Sequence, residues 1–205
     1  MSEDKKREFK KPAMIAKDVV VEGIVKFSNL LEGQKPKGYD EAKASFNLTL
    51  VIEEGSATAD LIEQMHAKGV EMEMALVPVA KKRSMTPLAA PLKTDVDKNG
   101  IDTGKLRLNL KKAAEKKDGT LLLPPEVLDA ENRLVKRKFI AAGSKVQAQI
   151  RIESYVMGNA IGTSLKLVRV KILEEVIFEG TGGEFVEKSV FGAPVDQESI
   201  EESVL

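Results

Sequence analysis

Lysine and arginine recur at positions where strand-like alternation turns side chains outward: Lys105, Arg107 and Lys111 in "KLRLNLK", and Arg151 in "KVQAQIRIESYVM". Further cations gather between the alternating stretches, at Lys35 and Lys37, at Lys81, Lys82 and Arg83, and at Lys136, Arg137 and Lys138. Cations so placed can displace the counterions condensed on a phosphate backbone, whatever the base sequence. Each alone is an ordinary solvated charge; together they look like the lining of a groove for a polyanion. Binders of single strands usually add aromatic platforms, each worth about 1–3 kcal/mol per stacked base. With no Trp, two Tyr and seven Phe, that supply is thin. Tyr39, beside Lys35 and Lys37, and Tyr155, on the outward parity of Arg151, are the best-placed rings, with Phe27 and Phe139 behind them. Phe46 shares the apolar parity and belongs in a core.

The formal charge of the chain is zero, but its distribution is uneven. From Glu174 onward nine acidic residues face one basic residue, Lys188, for a net of −8, so residues 1–173 carry +8. A basic body with an acidic end is a statement about association more than about fold. The last ten residues, "DQESIEESVL", hold Asp196, Glu198, Glu201 and Glu202 and close on Leu205. They have too little apolar surface to order themselves, and read as a tethered mimic of the polyanion the body would bind.

Several catalytic chemistries lack their residues. There is no cysteine, hence no disulfide and no thiolate metal site. His66 is the single histidine and has no second soft ligand to share zinc with, so a structural role on a helix is its plain reading. No Gly-rich loop ending in Lys-Ser or Lys-Thr offers to cradle a nucleotide, and no nucleophile elbow surrounds a serine. "DVDKNGIDTGKL" imitates the first half of a calcium loop through Asp95, Asp97, Asn99 and Gly100. It then puts Leu106 where the bidentate Glu belongs and Asp102 where an apolar residue is expected. A flexible acidic turn is the better reading, and no metal or cofactor is expected. No apolar run approaches the roughly 20 residues of a membrane span and no signal peptide is apparent, so a soluble, cytoplasmic protein is expected.

The elements that must position these cations are mostly strands. "KASFNLTLVIE" places Phe46, Leu48, Leu50 and Ile52 on one face and Ser45, Asn47 and Thr49 on the other. "DVVVEGIVKF", with Gly23 at its middle, reads as a bent strand, and "KLRLNLK" as a third. The last two, through "KVQAQIRIESYVM" and "TSLKLVRVKIL", read as a hairpin around "GNAIG". In the final strand the apolar parity slips between Leu167 and Val168, which predicts a β-bulge at Val168–Arg169. One helix is predicted over "SATADLIEQMHAKG", capped by Ser56 or Thr58 and stopped by Gly69, with a second short one near "PPEVLDAENRLV". Residues 28–43 and 78–104 read as long loops. The inventory fits a mostly β chain built as an OB-fold-like, open five-stranded Greek-key barrel with one inserted helix and long loops; an irregular β-sandwich is the alternative. The expected organisation is a flexible basic arm at 1–17, the barrel domain at 18–192 and a disordered acidic tail at 193–205.

Three stretches then resemble the bacteriophage-type single-stranded-DNA-binding proteins: "IVKFSNLLEGQKPKGYDEAKASFNLTLVIEE", "PPEVLDAENRLVKRKFIAAGSKVQAQIRIESYVMGNAIGTSLKLVRVKILEE" and "GTGGEFVEKSVFG". The likeness runs in order over most of residues 18–192. It implies a non-enzymatic protein that coats single-stranded DNA in replication, recombination or repair. It also implies that the acidic tail, through Asp196, Glu198, Glu201, Glu202 and Leu205, recruits a polymerase, helicase or primase and competes with DNA. The best-known members end on an aromatic residue; this chain ends Ser203-Val204-Leu205. The oligomeric state stays open, a homodimer included. Two other readings compete: a β-rich structural or adaptor protein of a virion, and a magnesium-dependent nuclease using Asp97.

Overall fold

The computed structural model describes residues 12–34, 44–116, 118–137 and 139–176. Along the chain come β1 (Ala13–Gln34), β2 (Ser45–Glu53), α1 (Ala57–Leu76), α2 (Val79–Lys82), β3 (Thr86–Pro87), β4 (Leu92–Val96), β5 (Asp102–Ala113), β6 (Glu126–Leu128), β7 (Leu134–Val135), β8 (Lys145–Met157) and β9 (Ala160–Glu174). Five of these, in the lateral order β5-β2-β1-β8-β9, curl into a ring. A single parallel pairing, Lys111 with Lys166, brings β5 back to β9. This is the OB-fold-like arrangement, open at its closing edge.

Period-two patterning decides which face is inside. Leu48, Leu50, Leu108, Leu110, Ile150 and Ile152 are buried within the ring, each contributing roughly 1.5–3 kcal/mol by leaving water. Phe46 is buried too, in a small satellite with Ala44 and Ala114. The alternation survives bulges in β1 at Lys26 and around Lys17–Asp18, where Asp18 takes φ 56°, and two further register shifts, between Met14 and Ala16 and between Asn29 and Gln34. That second bulge hides the start of the strand from a parity reading: β1 already pairs with β8 at Ala13. In β9, Gln149 pairs with Arg169 and Ile150 with Leu167, so Val168 is the extra residue, where the parity slip places it. The β8–β9 hairpin turns through Gly158 and Asn159, with Gly158 at φ 61°, as the first position of a II′-type turn requires.

α1 packs across β9, β8 and β1. Ser56 caps it, its hydroxyl accepting from the Ala59 N–H. It does not stop at Gly69, as its sequence suggests, but continues to Leu76. Gly69 is buried, and a Cβ there would come within 2.3 Å of Ile15 Cδ1, so this glycine allows close approach of helix and barrel. His66 bridges Thr163 Oγ1 at 2.9 Å and the Leu88 carbonyl at 2.8 Å, and buried Glu73 accepts from Ser154 Oγ at 2.8 Å. The single histidine is therefore a structural clamp.

Three further expectations are corrected. Residues 28–34, read as the start of a long loop, continue β1, with Ser28, Asn29 and Gln34 paired to β2. "PPEVLDAENRLV" forms no helix: β6 and β7 make a small antiparallel pair, and β6 adds in parallel to β9 from Glu126–Arg169 to Leu128–Lys171. Pro124 and Pro125 suit an extended entry, and the free edge of β9 supplies the hydrogen bonds a helix would have made internally. Residues 78–104 are more regular than a long loop, since they hold α2, β3 and β4, and β4 pairs with β5. Among the described residues no helix is long and apolar enough to cross a membrane.

Candidate nucleic-acid interface

The outward face of the ring can be read as cross-strand rows. Glu53 of β2 sits opposite Lys105 of β5, and the next row is Ile24, Val51, Arg107 and Lys93. A third runs Phe27, Thr49, Asn109, and a fourth Asn47 and Lys111, in register with Asn29 of β1, whose own side chain is buried. The fourth row continues through the ring closure, because Lys111 pairs with Lys166 and Lys166 with Arg151. Neighbouring strands lie about 4.8 Å apart, so Lys111, Lys166 and Arg151 fall on a line of about 10 Å across three strands.

All three of these side chains are exposed, and among the described residues none makes an ion pair. Like charges directly opposite one another destabilise a sheet, so the row is kept against folding stability. Lys112 lies close by, donating to the Pro124 carbonyl at 3.1 Å. Burial pushes its pKa below the usual lysine value; the Glu126 carboxylate opposes this and the Arg151 guanidinium adds to it. An anion arriving at this row would offset the Arg151 repulsion that adds to this burial effect.

The neighbouring row supplies a ring and hydrogen-bonding groups. The bulge at Lys26 turns Phe27 outward, leaving it 47 % exposed opposite Thr49. Thr49 Oγ1 donates to Asn109 Oδ1 at 3.0 Å. Along the same strand β5, the β4–β5 hairpin is pinned by Lys26, whose ammonium bonds the Asp95 carboxylate and, at 2.6 Å, the Val96 carbonyl. Burial acts to raise the Asp95 pKa, but hydrogen bonds from Lys26 and Thr103 and the nearby charges of Lys26 and Arg107 outweigh it and hold the carboxyl below its ordinary range. Beneath this hairpin Arg107 Nε is buried without a hydrogen-bond partner.

The sequence-derived candidates distribute unevenly over this face. Lys111 and Arg151 meet in the cation row. Lys105 does not join it, since its ammonium is 2.7 Å from Glu53 Oε1, and Arg107 is held beside Asp95. Lys81, Lys82 and Arg83 are exposed on and just after α2, leading into β3, which pairs with the start of β9. Tyr155 is four residues along β8 from Arg151, about 13 Å, and its ring lies over Gly162, where an added Cβ would meet Tyr155 Oη at 2.7 Å. One face of that ring is thus occupied by protein. Arg137 pairs with Glu175 at 3.1 Å, and Phe139 is exposed. Lys35, Lys37, Tyr39 and Lys138 lie outside the described residues, as do Asp196, Glu198, Glu201, Glu202 and Leu205.

The calcium-loop imitation is spent on its own turn. Asp97 Oδ1 accepts from the backbone N–H groups of Asn99 and Ile101 at 2.7 and 2.9 Å, and Asp102 caps Gly104. These bonds close a hairpin turn between β4 and β5. Backbone hydrogen bonds, that from Ile101 foremost, hold the Asp97 pKa below the usual aspartate value. Among the described residues no cluster of three or more acidic or histidine side chains could hold a metal ion.

The residue that sequence reasoning passed over is Lys166. It stands between Leu165 and Leu167 as Lys111 stands after Leu110, so the same alternation marks it as outward.

A ring of five strands with an uncompensated cation row on its outer face defines an OB-type module suited to an extended anionic chain. Among the solved structures that share this fold are two from bacteriophages. One is gp2.5, a single-stranded DNA binding protein encoded by bacteriophage T7, with TM-score 0.60 and 16% identity, covering 83% of this chain and 99% of its own. The other is the single-stranded DNA-binding protein from bacteriophage Enc34 in complex with ssDNA, with TM-score 0.51, 16% identity and the same two coverages. No protein-family model matches the sequence, and no curated protein sequence matches it.

Proposed function

We propose that this chain is a non-enzymatic, largely sequence-tolerant single-stranded-DNA-binding protein that serves phage DNA replication, recombination or repair. The observation that carries the reading is the row Lys111–Lys166–Arg151, three exposed cations brought opposite one another across strands with no acidic partner. Such a row is a cost to the fold alone and a gain once phosphates lie on it. Phe27, one row away, offers a ring for a base, and Lys81, Lys82, Arg83 and Tyr155 extend the track toward the β8–β9 turn. Lys35, Lys37 and Tyr39 belong to the same proposed surface. The fold shared with two phage single-stranded-DNA-binding proteins points the same way.

In this reading the barrel domain, expected over 18–192, starts with β1 at Ala13, and the acidic tail at 193–205 competes with DNA for the cations and recruits replication proteins. Fluorescence anisotropy with an oligo-dT of about 30 nucleotides tests the binding: affinity should fall steeply with salt, by a slope of about −0.7 per phosphate contact. Absence of binding at low salt would remove the proposal. Removal of residues 196–205 should tighten binding most at low salt; equal affinity with and without them across the salt series contradicts competition by the tail.

A further inference from the structure

Resting on that reading, we infer that Leu121 and Leu123, on the hairpin that follows β5, form an apolar contact for the bases of a strand whose phosphates lie on Lys111, Lys166 and Arg151. Past Ala113 the chain turns back on itself. The Lys116 N–H donates to the Thr120 carbonyl at 2.8 Å and the Leu122 N–H to the Ala114 carbonyl at 2.7 Å, which sets Glu115 directly opposite Leu121. Residues so opposed share a face, and Glu115 continues the outward alternation of Lys111 and Ala113 about buried Ala114. Leu121 therefore emerges on the face that carries the cation row, half-buried Leu122 turns away, and Leu123 returns to that face. The two outward leucines are 77 % and 83 % exposed.

Two registers bring Leu123 to the row itself. Along the hairpin it falls beside Ala113, two residues or about 7 Å along β5 from Lys111. From β6, Glu126 stands opposite Arg169 in a parallel pairing, and three residues back along each segment are Leu123 and Lys166. The Lys112 ammonium, bonded to the Pro124 carbonyl at 3.1 Å, ties the connection to β5 at the same level. The surroundings fit a nucleic acid as the occupant. The three cations of the row have no described carboxylate, Glu126 is engaged by Arg169 at 2.8 Å, and half-buried Glu115 lies toward the far end of the hairpin. Bases of a strand anchored on the row can cover the leucines, and each gains in proportion to the apolar area that leaves water. A leucine has no donor or acceptor with which to tell bases apart, so the contact serves any sequence and supplements the thin stock of rings.

The test is anisotropy across a salt series with oligo-dT and with an abasic phosphodiester oligomer of equal length and charge. The proteins compared are the wild type, the double variant Leu121→Ser, Leu123→Ser, and the single variant Leu123→Phe. The double variant should weaken oligo-dT binding about tenfold without changing the log–log salt slope, because the lost contact is apolar, and should leave binding of the abasic oligomer as it was. Leu123→Phe, which keeps an apolar surface there, should hold or raise the dT-to-abasic ratio. An unaltered ratio in the double variant, or an equal loss on both oligomers, overturns the inference while leaving DNA binding by the wild-type protein intact. A lower mass of the double variant in light scattering, with the ratio unaltered, would assign the leucines to contact between copies and overturns it as well. Absence of wild-type binding to either oligomer would instead count against the proposed function itself.

Discussion

Two sets of cations on one barrel have opposite surroundings. Around Lys105, Lys145, Arg169 and Arg137, each positive charge stands 2.7 to 3.1 Å from a carboxylate: Glu53, Glu22, Glu126 and Glu175 in turn. Lys145 shows what such pairing does, its pKa raised by the hydrogen bond and charge of Glu22, while Glu22 is lowered by hydrogen bonds from Lys145 and Gln147. Along Lys111, Lys166 and Arg151 the strands place cation opposite cation, and no described carboxylate pairs with them. The difference points to where a ligand would bind: paired charges are satisfied within the folded chain, whereas the unpaired row has no described carboxylate and stays open to an anion from outside.

Reversing one charge in the unpaired row should have the largest effect. Lys166→Glu is expected to weaken oligo-dT binding by on the order of tenfold or more at low salt. Because it removes a like-charge contact on both sides, its thermal midpoint should stay level or rise slightly. A marked fall in stability would mean the row is a structural feature and not a binding one.

The Lys26–Asp95 pair at the β4–β5 hairpin should behave in the opposite way. Asp95→Ala removes the carboxylate that holds Lys26 and Thr103 and should cost roughly 1–3 kcal/mol in chemical denaturation. Since the folded-state pKa of Asp95 lies below its ordinary 3.8, the stability it gives is fully present above that value and is lost as pH falls through the folded-state pKa. The wild-type protein should lose that increment in acid and Asp95→Ala should not; parallel pH profiles would show the pair to be inert.

The smallest effect is expected at the exposed pair Glu53–Lys105. Glu53→Gln should change stability by less than about 1 kcal/mol. It should also release Lys105 toward the phosphate track and strengthen DNA binding slightly, whereas weaker binding would show that Glu53 itself contributes.

Local patterning made much of this architecture readable in advance. Alternation located the five long strands, the inward turn of Phe46 and the bulge at Val168, because each depends on the parity of adjacent residues. Ser56 or Thr58 marked the start of α1, and Ser56 is the cap, but its end could not be read: Gly69 looks like a stop until Ile15 and Thr163 are known to press against it. "PPEVLDAENRLV" misled for the same reason, since the β9 edge that recruits β6 is distant in sequence. For the site, the outward cations of β5 and β8 were visible singly, while their assembly was not. It takes the Lys111–Lys166 pairing, between the third and fifth long strands, to turn scattered lysines into a row. The nearness of Leu123 to Lys166 is likewise a cross-strand property, invisible in either segment alone.

The unpaired row, and not net positive charge, should carry binding of the strand. That expectation is tested most directly by comparing two charge-matched triple variants in a salt titration with oligo-dT. Lys111→Gln, Arg151→Gln, Lys166→Gln should flatten the log–log salt dependence by about 2, three contacts at about 0.7 each. Lys105→Gln, Arg137→Gln, Lys145→Gln, which removes the same charge from paired positions, should leave the slope near that of the wild-type protein. Equal flattening by both triples would contradict the account.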